Sequence, residues 1–284
     1  MAVACFRPAS GRVRRPWNDP PETSSLFEFI MRYSRIVVVF GLIGLSVCTY
    51  SPDGGGLYWS IPTTRLAEKD SARVFVVTEG ADGTVTAYAK TISLAGMYAV
   101  GSSDASVTVI EFGDFECPFC ARAHAQTKRL RAQWLREGKV RWVFADFPLH
   151  IHRRAVDAAL LARCIGEHGG PPVFWQAHDV LYERQSYWSN AESFESAFDD
   201  LASDFGVDAG SVWACWRSGD ERRQIRTSLD LGVELGIQGT PTFFVNGYPV
   251  RGAVPRDDFQ ALVDDLVFTS PETLLRLQGI QIRE

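Results

Sequence analysis

Apolar and polar positions divide this chain into a short apolar stretch near its start, a linker, and a long region carrying both strand and helix periods. The apolar stretch is IVVVFGLIGLSV, residues 36–47, and residues 51–66, rich in Gly, Pro, Ser and Thr, read as linker. RVFVVTEGADGTVTAYA (73–89) predicts a hairpin turning at Ala81-Asp82-Gly83, either an edge addition to a larger sheet or a small dimerising module. VTVIEF (107–112) predicts a buried strand, and after the GDFE connection a helix runs from Pro118 to about Glu137. Phe119, Ala123, Leu130 and Trp134 share its apolar face, Arg129, Arg131 and Arg136 gather toward its C-terminal end, and Gly138 stops it. VRWVFADF (140–147) is the next strand and completes a β-α-β unit.

From 149 to about 237 the period is helical: 155–167, with Val156, Leu160 and Cys164 at i, i+4 spacing, then 173–184, 191–205 (Phe194, Phe198, Leu201, Phe205), 209–218 and 221–235. The strand pattern returns with TFFVN (242–246), an Asn246-Gly247 hairpin turn and YPVRG (248–252). Pro255 opens a last helix that turns Phe259, Leu262, Val263 and Leu266 inward. A β-α-β unit, a helical insertion and a β-β-α unit make one α/β domain.

The chain has 284 residues, 46% hydrophobic and 22% charged, enough for a sizeable core. Its net charge of -5 provides no basic field, which excludes nucleic acid as the expected partner. The apolar run is shorter than the roughly 20 residues of a membrane-spanning helix and fits a signal-peptide core or a short anchor over 36–50. Before it stand Arg7, Arg12, Arg14, Arg15, Arg32 and Arg35 against Asp19, Glu22 and Glu28, so the positive-inside rule keeps this end cytoplasmic and exports everything after about 50. Met31 also fits as a start. Leu45-Ser46-Val47-Cys48 is similar to a lipoprotein box, with Val47 where a small residue is expected. Cleavage, lipidation at Cys48 and retention all stay open.

Export sets the cysteine arithmetic. Cys5 and Cys48 belong to the targeting region, leaving Cys117, Cys120, Cys164 and Cys215 in an oxidising compartment. Of the three connectivities, the C-x-x-C spacing singles out 117 with 120 and 164 with 215. Cys117, Cys120, His150 and His152 make a formal S2N2 zinc set, but zinc sites favour C-x-x-C on a knuckle, whereas here the second cysteine lies inside a helix. No metal and no cofactor are expected, and His150 and His152, with Arg153 and Arg154, line the loop at the mouth of the insertion.

FGDFECPFC followed by FADFPLH, AALLARC and LGIQGTPTFFVNG resembles the DsbA-like thiol-disulfide oxidoreductases over about residues 102–268. The resemblance implies a thioredoxin-like fold interrupted by a helical domain. It divides the chain into a cytoplasmic or signal region (1–35), a signal or anchor (36–50), a linker (51–72), a β extension (73–101), the thioredoxin-like domain (102–148 and 238–268), the inserted helical domain (149–237) and a C-terminal tail (269–284).

Cys117 stands where a helix begins, so free N–H groups and the helix dipole favour its thiolate, and Cys120, one turn inside, is the resolving thiol. Arg122 and His124 follow on the same helix, as added positive potential or as a solvated face. The resemblance gives Glu111 the place of a buried acid that takes the Cys120 proton, Thr240-Pro241 the place of a cis-proline loop beside the cysteines, and Pro118 and Phe119 a part in substrate contact. Cys164 and Cys215, each on the apolar face of a helix, are expected to form a structural disulfide. The function expected is an oxidase at the extracytoplasmic face of the cell envelope, acting on reduced exported proteins and reoxidised by a quinone-linked membrane partner. The alternatives are an isomerase or reductase of the same fold, or an anchored redox-sensing or zinc-binding module.

Overall fold

The computed structural model describes residues 36–40, 45–49, 58 and 60–283. Expectations for residues 1–35, including the Met31 start and Cys5, lie outside the described residues. Contacts divide the chain into two units, residues 1–50 and 51–284. In the first, the β-branched run forms two five-residue strands, β1 (Ile36–Phe40) and β2 (Leu45–Thr49), paired antiparallel. Among the described residues no helix is long and apolar enough to cross a membrane.

The second unit is built on six strands: β3 (Thr63–Arg65), β6 (Tyr98–Val100), β7 (Val107–Gly113), β8 (Val140–Asp146), β9 (Thr242–Val245) and β10 (Tyr248–Arg251), in the order β10-β9-β7-β8-β6-β3. β7 and β8 are parallel, joined by helix α1 (Pro118–Arg136), and every other neighbour is antiparallel. The period of two splits the strand residues between two cores. Val107, Val109, Val140, Trp142 and Phe144 face one core, which also holds Cys117 and Cys120. Ile110, Phe112, Val143 and Ala145 face the other. Glu111 is paired across the sheet with Phe144 and Phe243, and the same alternation puts it on the face of the cysteines.

Between β8 and β9 run α2 (Ala155–Gly169), α3 (Pro171–Glu183), α4 (Gln185–Ser189), α5 (Phe194–Ser203), α6 (Ala209–Ser218) and α7 (Arg222–Glu234), which match the expected helical insertion. On α2, Leu160 and Cys164 are buried, but Val156 is exposed although Ala155 beside it is buried, so Val156 stands on the outer side of the first turn. Cys164 and Cys215 form a disulfide that ties α2 to α6. After the Asn246-Gly247 turn, with both residues at positive φ as that hairpin requires, the chain enters α8 (Arg256–Phe268), which buries Phe259, Val263 and Leu266.

Three segments differ from expectation. The described part of the expected linker, residues 58 and 60–72, is tied into the fold: Tyr58, Ile61 and Leu66 are buried and β3 closes an edge of the main sheet, because apolar side chains among the polar ones find core contacts. The hairpin forms as expected, β4 (Ser71–Glu79) with β5 (Val85–Ser93), but in a separate three-stranded sheet rather than as an edge addition. The tail over 269–284 supplies that sheet's third strand. It forms α9 (Pro271–Leu277), capped by Ser270, and β11 (Gln281–Arg283), parallel to β5, with Leu275 packed between Phe75 and Ala87. The small sheet is hydrogen-bonded to the main one through Phe75 N–H and the Gly247 carbonyl, 2.9 Å, where a Cβ on Gly247 would meet Arg73 O at 2.4 Å.

Candidate active site

The two sulfurs lie at the N-terminus of α1 because Pro118 takes its first turn, where a missing N–H costs nothing. Cys117 is the N-cap, with extended backbone, and the N–H groups of Cys120 and Ala121 bond its carbonyl at 3.1 and 3.2 Å. The Cys117 and Cys120 side chains are buried and not bridged. A hydrogen bond from the Cys120 thiol, aided by Thr240 and by the N–H groups of Cys120 and Phe119 against the opposing effect of burial, brings Cys117 down from the ordinary thiol value of 9.0 to about 6. Burial first, and then the neighbouring sulfur and Glu111, pushes Cys120 well above that value.

Across from them, the Thr240-Pro241 peptide is cis, and the Cys117 thiol donates to the Thr240 carbonyl at 3.3 Å. Pro241 is buried and its carbonyl accepts from Gly252 N–H at 2.8 Å, which fixes the loop to the end of β10. Glu111 is 3% exposed, with its carboxylate bonded to Trp142 Nε1 at 2.9 Å. Burial raises its pKa, against the lowering influence of Arg131 and the Trp142 bond. Pro118 and Phe119 stand at the surface. Phe119 is 53% exposed and therefore leaves the apolar face assigned to it: in the first turn of α1 it projects past the core, with Arg122 stacked on its ring at 5.2 Å.

Residues outside the expected set hold this arrangement. Buried Asp114 accepts hydrogen bonds from Glu116 N–H (2.8 Å) and Leu149 N–H (2.9 Å), and one oxygen lies 2.6 Å from His152 Nδ1. It thus ties the cysteine turn to the 149–152 loop. His150 is exposed, and His152 Nδ1 is turned to Asp114. Gln185 on α4 donates to the Phe115 and Cys117 carbonyls at 2.7 and 2.9 Å. Ile151, in the 149–152 loop, and Tyr187, on α4, are exposed.

Two basic residues of α1 lie off the solvated face, which for His124 is one of the two expected readings. His124 and Arg131 are buried, because α3 lays Asp179 against their side of the helix. Arg131 pairs with Asp179, Tyr58 donates to Asp179 at 2.7 Å, and His178 Nδ1 lies 3.0 Å from the same carboxylate. Although burial opposes ionisation, Arg131 holds Asp179 well below the carboxylate range, and burial brings His178 down to about 3. Only His124, four residues after Cys120, carried a sequence signal for this cluster; His178 and Asp179 lie more than fifty residues away, on another helix.

Residues 93–265 match the family described as Thioredoxin. Disulfide bond formation protein D of Bacillus subtilis is 25% identical over 174 residues, 61% of this chain and 78% of that protein. The Na(+)/H(+) antiporter NhaA 1 of Salinispora arenicola is 32% identical over 166 residues, 57% of this chain but 24% of the antiporter, so the chain spans about a quarter of that relative's length. Among solved structures, oxidised BdbD from Bacillus subtilis superposes with a TM-score of 0.55 at 24% identity, over 60% of this chain and 92% of that one. With a helical insertion between β8 and β9 and a Cys-x-x-Cys pair at the start of α1, the chain belongs to the thioredoxin family.

Proposed function

We propose that this protein is an extracytoplasmic dithiol oxidase that introduces disulfides into exported proteins through Cys117 and Cys120. The observation that carries the proposal is the inequality of the two sulfurs: Cys117 falls to about 6 while Cys120 rises well above 9.0. A stabilised thiolate is a good leaving group, so a disulfide that includes Cys117 is readily handed on. A substrate thiolate attacks Cys117, the intramolecular S–S bond breaks, and Cys120 leaves and takes a proton. The substrate's second thiol then displaces Cys117 as thiolate. Glu111 is the group that supplies and recovers the Cys120 proton. Thr240 offers its carbonyl beside Cys117, and Pro118, Phe119 and Pro241 shape the contact with substrate. The reoxidant is a quinone-linked membrane thiol oxidase, and residues 36–50 direct or anchor the chain at the envelope. Thioredoxin-like segments at 102–148 and 238–268 flank the insertion at 149–237.

The deciding measurement is the reduction potential of the 117/120 pair, read alongside alkylation of the reduced protein against pH. Alkylation of one thiol with a midpoint near 6, and a potential far above the roughly -270 mV of thioredoxin, are expected. A thioredoxin-like potential would assign the chain to the reductases instead.

A further inference from the structure

Cys120 must gain or lose a proton in every cycle, yet it is fully buried. A polar cluster next to it is not used by the chemistry above. His124 follows Cys120 by four residues and so lies on the same face of α1. It is buried, and its Nε2 has no hydrogen-bond partner. That nitrogen lies 3.7 Å from Glu183 Oε1, whose side chain is 46% exposed, while Nδ1 lies 3.8 Å from Asp179 Oδ1. On the inner side, the Tyr182 ring is 5.3 Å from the His124 ring, and the Tyr182 hydroxyl is also buried without a partner. A Cβ on Gly113 would meet that hydroxyl at 2.7 Å, so the glycine lets it reach the end of β7, two residues beyond Glu111.

His124, His178 and Asp179 bring possible ligand atoms within 4.8 Å of one another. A divalent cation there would face the buried Arg131 guanidinium paired to Asp179, and Lys128 Nζ at 3.8 Å from the same carboxylate. The cluster therefore suits a proton better than a metal. The groups facing His124 are His178, Asp179, Tyr182 and Glu183 from α3, Glu111 from β7, and Cys120, Lys128 and Arg131 on its own helix.

We propose that His124 is a relay residue that passes the Cys120 proton between the buried dithiol and Glu183 at the surface. When Cys120 attacks a mixed disulfide on Cys117, the Cys117–Cys120 bond forms and the bond from Cys117 to the partner sulfur breaks. The partner leaves as thiolate with the electron pair, Glu111 takes the Cys120 proton, and His124, which faces Glu111, carries it on to Glu183 and water. The relay rests on the dithiol reading of the site.

The test is stopped-flow reaction of the full, reduced chain with oxidised glutathione, which separates mixed-disulfide formation at Cys117 from closure by Cys120. His124→Gln is expected to slow closure about tenfold or more, with the first phase and the equilibrium potential unchanged. Glu183→Gln, at the surface, is expected to slow closure several-fold, and deuterium oxide to slow closure in the unaltered chain. Closure that is unchanged in the variants, or slowed together with a shifted potential, overturns the relay. If His124→Gln does not fold, Glu183→Gln and the deuterium effect decide: normal closure with no isotope effect overturns it. Failure of the unaltered chain to exchange with glutathione at all would instead sink the oxidase reading.

Discussion

At the residue scale, the two sulfurs fix how many protons accompany two electrons. Between about 6 and the raised value of Cys120, reduction of the disulfide binds one proton, at Cys120; below about 6 it binds two. The reduction potential is therefore expected to fall about 30 mV per pH unit above 6 and about 59 mV below it, which redox titration at several pH values reads directly. The same shift acts on stability. Cys117 has its folded value lowered from 9.0 to about 6, so its contribution to the reduced state is complete above 9.0, shrinks as pH falls toward 6 and is gone below it. Cys117→Ser is expected to abolish exchange, and Cys120→Ser to accumulate mixed disulfides visible on non-reducing gels. Trapping by Cys117→Ser instead would reverse the assignment.

At the element scale, the disulfide between α2 and α6 closes a sequence separation of 51 residues. In the chain-entropy account a loop of that size is worth about 4 kcal/mol. Replacing both Cys164 and Cys215 by Ser is expected to lower the melting temperature by about 10 °C while leaving alkylation of Cys117 unchanged, because neither residue touches the cysteine turn. A shifted Cys117 midpoint in that variant would show that the insertion transmits strain to the site. Gln185 is different: α4 grips the Phe115 and Cys117 carbonyls directly, so the insertion does position the cysteine turn, through this side chain as well as through the 149–152 loop held by Asp114.

At the scale of the whole molecule, the buried charge cluster between α1 and α3 makes acid stability a property of the fold. His178 is held neutral, its folded value lowered from 6.5 to about 3 by burial. The unfolded chain therefore binds the extra proton as pH falls through 6.5, and stability is lost from there down to about 3. Denaturant unfolding between pH 7 and 3 is expected to show this loss, on the order of 4 kcal/mol by pH 3, and His178→Gln to flatten that part of the profile. An unchanged profile in the variant would place the acid sensitivity elsewhere. Topology also belongs to this scale: a reporter fused after residue 60 is expected to be active outside the cytoplasm, and one fused before Met31 is not.

The sequence by itself determined the features that depend on neighbours along the chain. Pro118 after Cys117 marks a helix start, the alternation over 107–112 puts Glu111 on a buried strand, and Asn246-Gly247 is a turn wherever it occurs. Each is a local rule of backbone sterics or periodicity, so the strand-helix junction with its two cysteines, and the order of elements around the insertion, could be read before the fold. Tertiary structure alone decided which polar residues would be buried. Along the sequence Arg131 is one of the basic residues near the C-terminal end of α1 and His124 reads as added positive potential or a solvated face, until α3 sets Asp179 and His178 against them; a charge is tolerated in a core only when such a partner arrives from far along the chain. Tyr58, in a segment that reads as linker, joins the same carboxylate across 121 residues of sequence. The final strand reaches β5 in a similar way, because three residues at the end of a chain acquire a strand conformation only from the edge that receives them.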